Sequence, residues 1–197
     1  MVEISNKKYN IIYADPPWHY GRKSYQDSGR DMLYLDDTQY KTMSVEDIKA
    51  LPIKNIIEKD SACFMWCTDS HLKLGIEVLE AWGFKYRTIA FNWIKTYANG
   101  TYCVNVAPYT LKSWEICLLG VKGSMGKHKK NSNNVQGLII AERTSHSKKP
   151  DIIRDKIVEL YGDIPRIELF ARKRTEGWDV WGNEVDKFDK ENQLKLF

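Results

Sequence analysis

The chain has 197 residues, of which 43% are apolar and 28% charged, with a formal net charge of +4. That length suits one domain with a substantial core, and that composition excludes a disordered or low-complexity chain. The positive charge is mild; it permits contact with nucleic acid without arguing for it alone. The longest apolar runs fall far short of a membrane span, and the opening "MVEISNKKYN" lacks the apolar core of a secretion signal. A cytoplasmic protein is the expectation.

In chain order, the first apolar run lies in "NIIYAD" and reads as a buried strand. It ends in Asp15-Pro16-Pro17-Trp18, where the prolines stop the strand and stiffen the chain beyond it. Residues 19–40 are a long polar stretch without pattern. Residues 44–59 predict a helix: Ser44 is placed as N-cap with Asp47 as its capping-box acid, and Pro52 breaks or kinks it. "ACFMWCT" is the next strand. Residues 70–83 predict a helix with Leu72, Ile76 and Leu79 on one stripe and Gly83 as its stop. "TIAFNWIKT", "EICLLGVKG", "GLIIAER" and "RIELFAR" are further strands, with patternless stretches at 97–112 and 123–137. Residues 149–162 predict a helix starting near Pro150 and ending at Gly162, with Ile153, Ile157 and Leu160 inward. Cysteines 63, 67, 103 and 117 have no zinc spacing and read as reduced, mostly core thiols. No metal is expected.

Strands alternating with helices, several of them continuously apolar, predict a mostly parallel α/β sheet with helices on both faces. Ligands of such sheets bind outside the carboxyl ends of the strands, which is where Asp15 to Trp18 fall. The tetrapeptide has a chemical use there. An aromatic amine is a poor nucleophile because its lone pair is delocalised into the ring. Acceptors aimed at its two N–H bonds free that pair: Asp15 supplies one, and a proline carbonyl, that of Pro16, supplies another at fixed geometry. Trp18 offers a face for the base, and the prolines hold the alignment.

"DPPW" resembles the signature of adenine amino-methyltransferases. More narrowly, the chain resembles the family typified by the catalytic subunit of the eukaryotic messenger-RNA adenosine methyltransferase, which has bacterial and phage DNA-modifying members. The likeness runs from about Tyr13 to Glu184 through "YKTMSVEDIKAL", "CFMWCT", "AWGF", "NWIKT", "EICLLGVKG", "SKKPD", "RIELFAR" and "GWDVWGNE", in that order. It implies a permuted Rossmann-like fold, S-adenosylmethionine as methyl donor, and transfer to the N6 amine of adenine. Carried over by position, Asp15, Pro16, Pro17 and Trp18 are catalytic. Lys149 pairs with the donor's carboxylate, Asp15 lies near its amino group, Arg172 and Asn183 lie near its ribose, and Glu168, Leu169 and Phe170 line the strand beside it. Arg174 stands in the same segment, where the eukaryotic enzyme has a ring-bearing side chain. Fourteen residues precede Asp15, so the donor's adenine is expected to be read from elsewhere or to be held more weakly.

The target amine is out of reach inside a duplex, so the base is flipped out or already single-stranded. Tyr20, Arg22, Lys23, Tyr25 and Arg30, with Tyr34, come directly after the catalytic turn and combine cations with rings, as a substrate-gripping lid needs; Lys95, Lys112 and the lysines of 122–130 extend the groove. DNA is the favoured substrate, RNA the alternative and the amine of cytosine a weaker third, with a nucleic-acid-binding pseudoenzyme subunit as a reading of a different class. The domain is expected over 1–185. Residues 186–197 read as a detached charged tail, whose last five, "QLKLF" (Gln193, Leu194, Leu196 and Phe197 with Lys195), resemble the pentapeptide by which bacterial replication proteins dock on the sliding clamp. A homo- or heterodimer is a further expectation.

Overall fold

The computed structural model describes residues 4, 6–19, 42–107, 109–126, 129–144, 148–183 and 185. Seven strands form one sheet: β1 (Tyr9–Ala14), β2 (Ile57–Cys67), β3 (Lys85–Thr96), β4 (Trp114–Lys122), β5 (Leu138–Glu142), β6 (Arg166–Leu169) and β7 (Asp179–Trp181). Their order across the sheet is β5-β3-β4-β2-β1-β6-β7. All neighbours are parallel except those of β4, which runs antiparallel to both β2 and β3. This is the α/β class that the alternating runs indicate, with one interior strand reversed.

Alternate strand residues feed two cores. Ile12, Ala14, Cys63, Met65 and Cys67 face α1 (Val45–Lys49) and α2 (Leu72–Ala81), where Ile48, Val78, Leu79 and Trp82 are buried. Ile11, Tyr13, Phe64 and Trp66 face α3 (Ile152–Tyr161), which contributes Ile153, Ile157 and Tyr161. Helices therefore cover both faces, as the continuous apolar strands require. All four cysteines are buried and free.

α2 and α3 end where the glycines stand: Gly83 and Gly162 both take positive φ, the conformation glycine adopts without a Cβ clash. The expected helix over 44–59 is corrected. Ser44 does cap it, its Oγ accepting the Asp47 N–H at 3.1 Å, but α1 ends at Lys49. A single 3-10 turn over Ile53–Asn55 comes next, and Ile57 already belongs to β2. Pro52 and the β-branched run after it favour a strand over a second helical turn. Among the described residues no helix is long and apolar enough to cross a membrane.

Candidate active site

Asp15 is the first residue beyond β1. The turn it opens is fixed by backbone bonds: the Trp18 N–H donates to the Pro16 carbonyl and the Met43 N–H to the Pro17 carbonyl, each at 2.9 Å. Trp18 is anchored in turn, its indole N–H donating to the Trp66 carbonyl at 3.0 Å, and the Trp66 indole donates to the Tyr13 hydroxyl at 2.7 Å. These donors are satisfied where water cannot reach them, so the turn is held as a rigid unit. Trp18 is only 3% exposed, with the His71 ring tilted against it at 5.7 Å. This corrects the expectation of an open stacking face: Trp18 works as the anchor of the turn. The Asp15 side chain keeps 26% of its surface exposed and opens outward from it.

The charged side chains at this end form an alternating chain. Lys149 Nζ bonds Asp15 Oδ2 at 2.7 Å and lies 3.2 Å from Glu115 Oε2, and the other Glu115 oxygen accepts from Lys95. Lys149 also stands 5.7 Å from the centre of the Trp66 ring, and Lys95 5.1 Å from that of Trp93. Burial pushes the Asp15 carboxyl up, against the pull of the Lys149 ammonium, and the net shift is upward. Burial also pushes Glu115 up, but the ammoniums of Lys149 and Lys95 outweigh it and hold Glu115 below its ordinary value. Burial lowers Lys149, yet the two carboxylates overcome that and raise it, so it stays charged. Cys67, beside the site, is pushed up to about 12 by burial and by the charges of Glu115 and Asp15, which keeps its thiol protonated and unreactive.

Glu115 is the residue that the sequence reading missed. It is the second residue of β4, and an early strand residue faces away from a ligand cleft when every strand runs the same way. The reversal of β4 brings it to the carboxyl ends of its neighbours. Lys95, expected in a phosphate-gripping groove, is instead 8% exposed and tied to Glu115, so it belongs to the site's charge chain.

The residues expected around the donor divide. Arg172 is close enough to Asp15 for its charge to lower the Asp15 carboxyl. Asn183 lies just past β7 at the same end. Phe170 is the sole non-glycine residue with positive φ among those described, at 60°, and its ring meets Trp181 edge-on at 5.5 Å. A strained backbone at a strand's carboxyl end is characteristic of a working site. Glu168 is corrected: both of its oxygens accept from Arg154, at 2.6 and 2.7 Å, so it ties α3 to β6 behind the cleft. Arg174 is also corrected. It lines a cavity of about 540 Å³ with Lys7, Tyr9 and Asp179, the last two being the opening residues of β1 and β7, at the far end of the strands from Asp15. Tyr20, Arg22, Lys23, Tyr25 and Arg30 lie outside the described residues, as do Gln193, Leu194, Leu196 and Phe197.

The amino-acid end of a sulfonium donor needs an ammonium for its carboxylate and a carboxylate for its ammonium. Lys149 and Asp15 fit that pair of demands at the carboxyl ends of the strands. An α/β sheet with this pair at the strands' carboxyl ends fits the methyltransferase class, which the family match shows. The MT-A70 family model matches residues 9–184, and the chain belongs to that family. It is 34% identical to the type II methyltransferase M.MunI of a Mycoplasma species, over 93% of this chain and 80% of that protein. It is 29% identical to the human N(6)-adenosine-methyltransferase catalytic subunit METTL3 over 91% of this chain and 28% of METTL3. An Arabidopsis thaliana MT-A70-like N(6)-adenosine-methyltransferase is 28% identical over 90% of this chain, which spans 24% of that relative.

Proposed function

We propose that this chain transfers a methyl group from S-adenosylmethionine to the N6 amine of adenine in DNA. The observation that carries the reading is the Asp15–Lys149 pair on a rigid turn at the carboxyl ends of the strands, continued to Glu115. The bound donor supplies a methyl carbon made electrophilic by its sulfonium. Lys149 holds the donor's carboxylate, and Asp15 faces its ammonium. Lys149 bonds Asp15 at Oδ2, which leaves Oδ1 to accept from the adenine amine. That bond, with one to the Pro16 carbonyl, draws both N–H bonds out of the ring plane and frees the nitrogen lone pair. The nitrogen–carbon bond forms as the carbon–sulfur bond breaks, the electron pair stays on sulfur, and one amine proton is lost. Asp15, more basic than an ordinary carboxylate, is placed to hold that proton.

The second reading is the same reaction on RNA adenosine, favoured by relatives named as N(6)-adenosine methyltransferases. Tritiated donor offered with duplex DNA, single-stranded DNA and RNA separates the two. Label in DNA above RNA is expected; label in RNA alone overturns the first reading. On the terminal "QLKLF" we further propose docking to a bacterial sliding clamp.

A further inference from the structure

The long stretch between β3 and β4 has a form that the methyl-transfer chemistry does not use. Residues Asn105 and Lys112 pair as a short antiparallel ribbon, the Asn105 N–H donating to the Lys112 carbonyl at 2.8 Å and the Lys112 N–H to the Asn105 carbonyl at 3.0 Å. Its base is fixed to the site. The Lys95 N–H donates to the Ser113 carbonyl at 2.7 Å, the Cys103 N–H donates to the Lys95 carbonyl at 2.8 Å, and Lys112 is ion-paired with Asp69 just past β2. Cys103 is fully buried beneath it. Its tip is the reverse: Val106 is 72%, Tyr109 95% and Leu111 62% exposed. Exposed apolar groups gathered on an anchored projection call for a partner.

The charge pattern says which partner. From Tyr97 to Trp114 there is no Asp or Glu. Two cations rest on rings at the arm's root: Lys112, which Asp69 also pairs, lies 5.9 Å from the centre of Trp114, and Arg143 lies 5.9 Å from that of Tyr97. Rings on an arm that carries no acid of its own, with the Arg143 guanidinium beside them, suit a polyanion that offers flat bases. A duplex hides the adenine amine, so the base must leave the stack, and the gap it leaves is apolar and flat. Apolar wedges inserted between base steps are a known way to open a duplex.

We propose that the arm closed by the Asn105–Lys112 pair is a stacking wedge, with the exposed Tyr109 as its ring, that enters the DNA duplex beside the target adenine and keeps it flipped toward Asp15. The inference rests on the DNA-adenine reading above. The ribbon's rigid root sets the wedge at a fixed distance from the charge chain, since Lys95 takes part in both. Tyr109 contributes binding energy that duplex opening consumes and that a single strand does not need.

The test uses linearised plasmid DNA from a methylation-deficient bacterium, native or heat-denatured to single strands, with tritiated S-adenosylmethionine and the full chain. Tyr109→Ala is expected to lower transfer to native plasmid by about tenfold or more while changing transfer to denatured plasmid less than about twofold, the scale of one stacking contact. Tyr109→Phe keeps the ring and is expected to keep duplex activity. At 95% exposure Tyr109 bears no weight in the fold, so all variants should melt like the parent. Equal losses on both DNA forms, or none, overturn the wedge while leaving the methyl-transfer reading intact. Equal losses accompanied by a dimer-to-monomer change in sedimentation assign the tip to a protein interface instead. A parent chain that labels denatured plasmid but not native plasmid also overturns the wedge. A parent chain that labels neither overturns the DNA reading and the wedge together.

Discussion

Arg154→Met removes the charge that Glu168 needs while keeping most of the aliphatic packing. Both side chains are nearly buried, 8% and 9% exposed, and both Glu168 oxygens are bonded to the guanidinium at 2.6 and 2.7 Å. Arg154 also bonds Asp151 at 2.8 Å and lies 5.4 Å from the Tyr13 ring, so it joins α3 to β6 and β1. The substitution strands a carboxylate in the core, which costs about 3–5 kcal/mol. For a chain of this size the midpoint then falls by roughly 6–20 °C, at about 2–4 °C per kcal/mol. Asp151 loses little, because Lys173 and Lys148 remain beside it. Adding Glu168→Gln removes the stranded charge and leaves only a neutral buried amide, at a cost of roughly 1–3 kcal/mol, so the double variant should be more stable than the single one. Urea unfolding followed by tryptophan fluorescence measures both, and an unchanged slope shows that stability changed while the surface exposed on unfolding did not. A single variant losing less than about 1 kcal/mol, or a double variant no better than the single, refutes the claim that the pair is a buried, coupled tie.

Three further outcomes are expected at the site and the tail. Because burial raises Asp15 while Lys149 lowers it, the acid limb of kcat/KM should lie above the ordinary carboxylate value of 3.8, and Lys149→Met should move it higher still; a limb that moves down contradicts the assignment. A Cβ on Gly182 would stand 2.6 Å from the Ala171 carbonyl oxygen and 2.7 Å from its nitrogen, so Gly182→Ala must part the ends of β6 and β7. It should destabilise by about 1–3 kcal/mol and raise the donor KM, read by melting and by initial rates. Deleting residues 193–197 should abolish recovery of the chain on an immobilised bacterial sliding clamp without altering transfer to plasmid, and equal recovery removes the docking proposal.

Much of the scaffold was legible because its signals are local. A continuous apolar strand, a capping serine and a glycine after a periodic stripe each act within a few residues. β1, α2 and α3 stand where those signals put them, and the turn at Asp15 is where the prolines stop the first strand. The segment 44–59 misled because an N-cap shows where a helix begins and not how far it runs. Its second half carries Ile56 and Ile57, and the sheet takes the chain from Ile57 onward. β7 is only three residues long and leaves no periodicity to read. Strand direction is a tertiary property, so the reversal of β4 was invisible, and with it the place of Glu115. The bond between Arg154 and Glu168 crosses 14 residues of chain and depends on α3 lying over β6. Lys95 showed its charge in the sequence but not its burial.

The central claim is that Asp15 and its rigid turn direct a methyl group to the adenine amine. Plasmid from a methylation-deficient bacterium, incubated with labelled S-adenosylmethionine and either the parent chain or Asp15→Ala, digested to nucleosides and resolved by mass, tests it most directly. The account predicts N6-methyldeoxyadenosine from the parent and loss of the product by at least about a thousandfold from the variant, the scale on which transition-state contacts act. Label on cytosine, or an Asp15→Ala chain that still methylates adenine at a comparable rate, would contradict it.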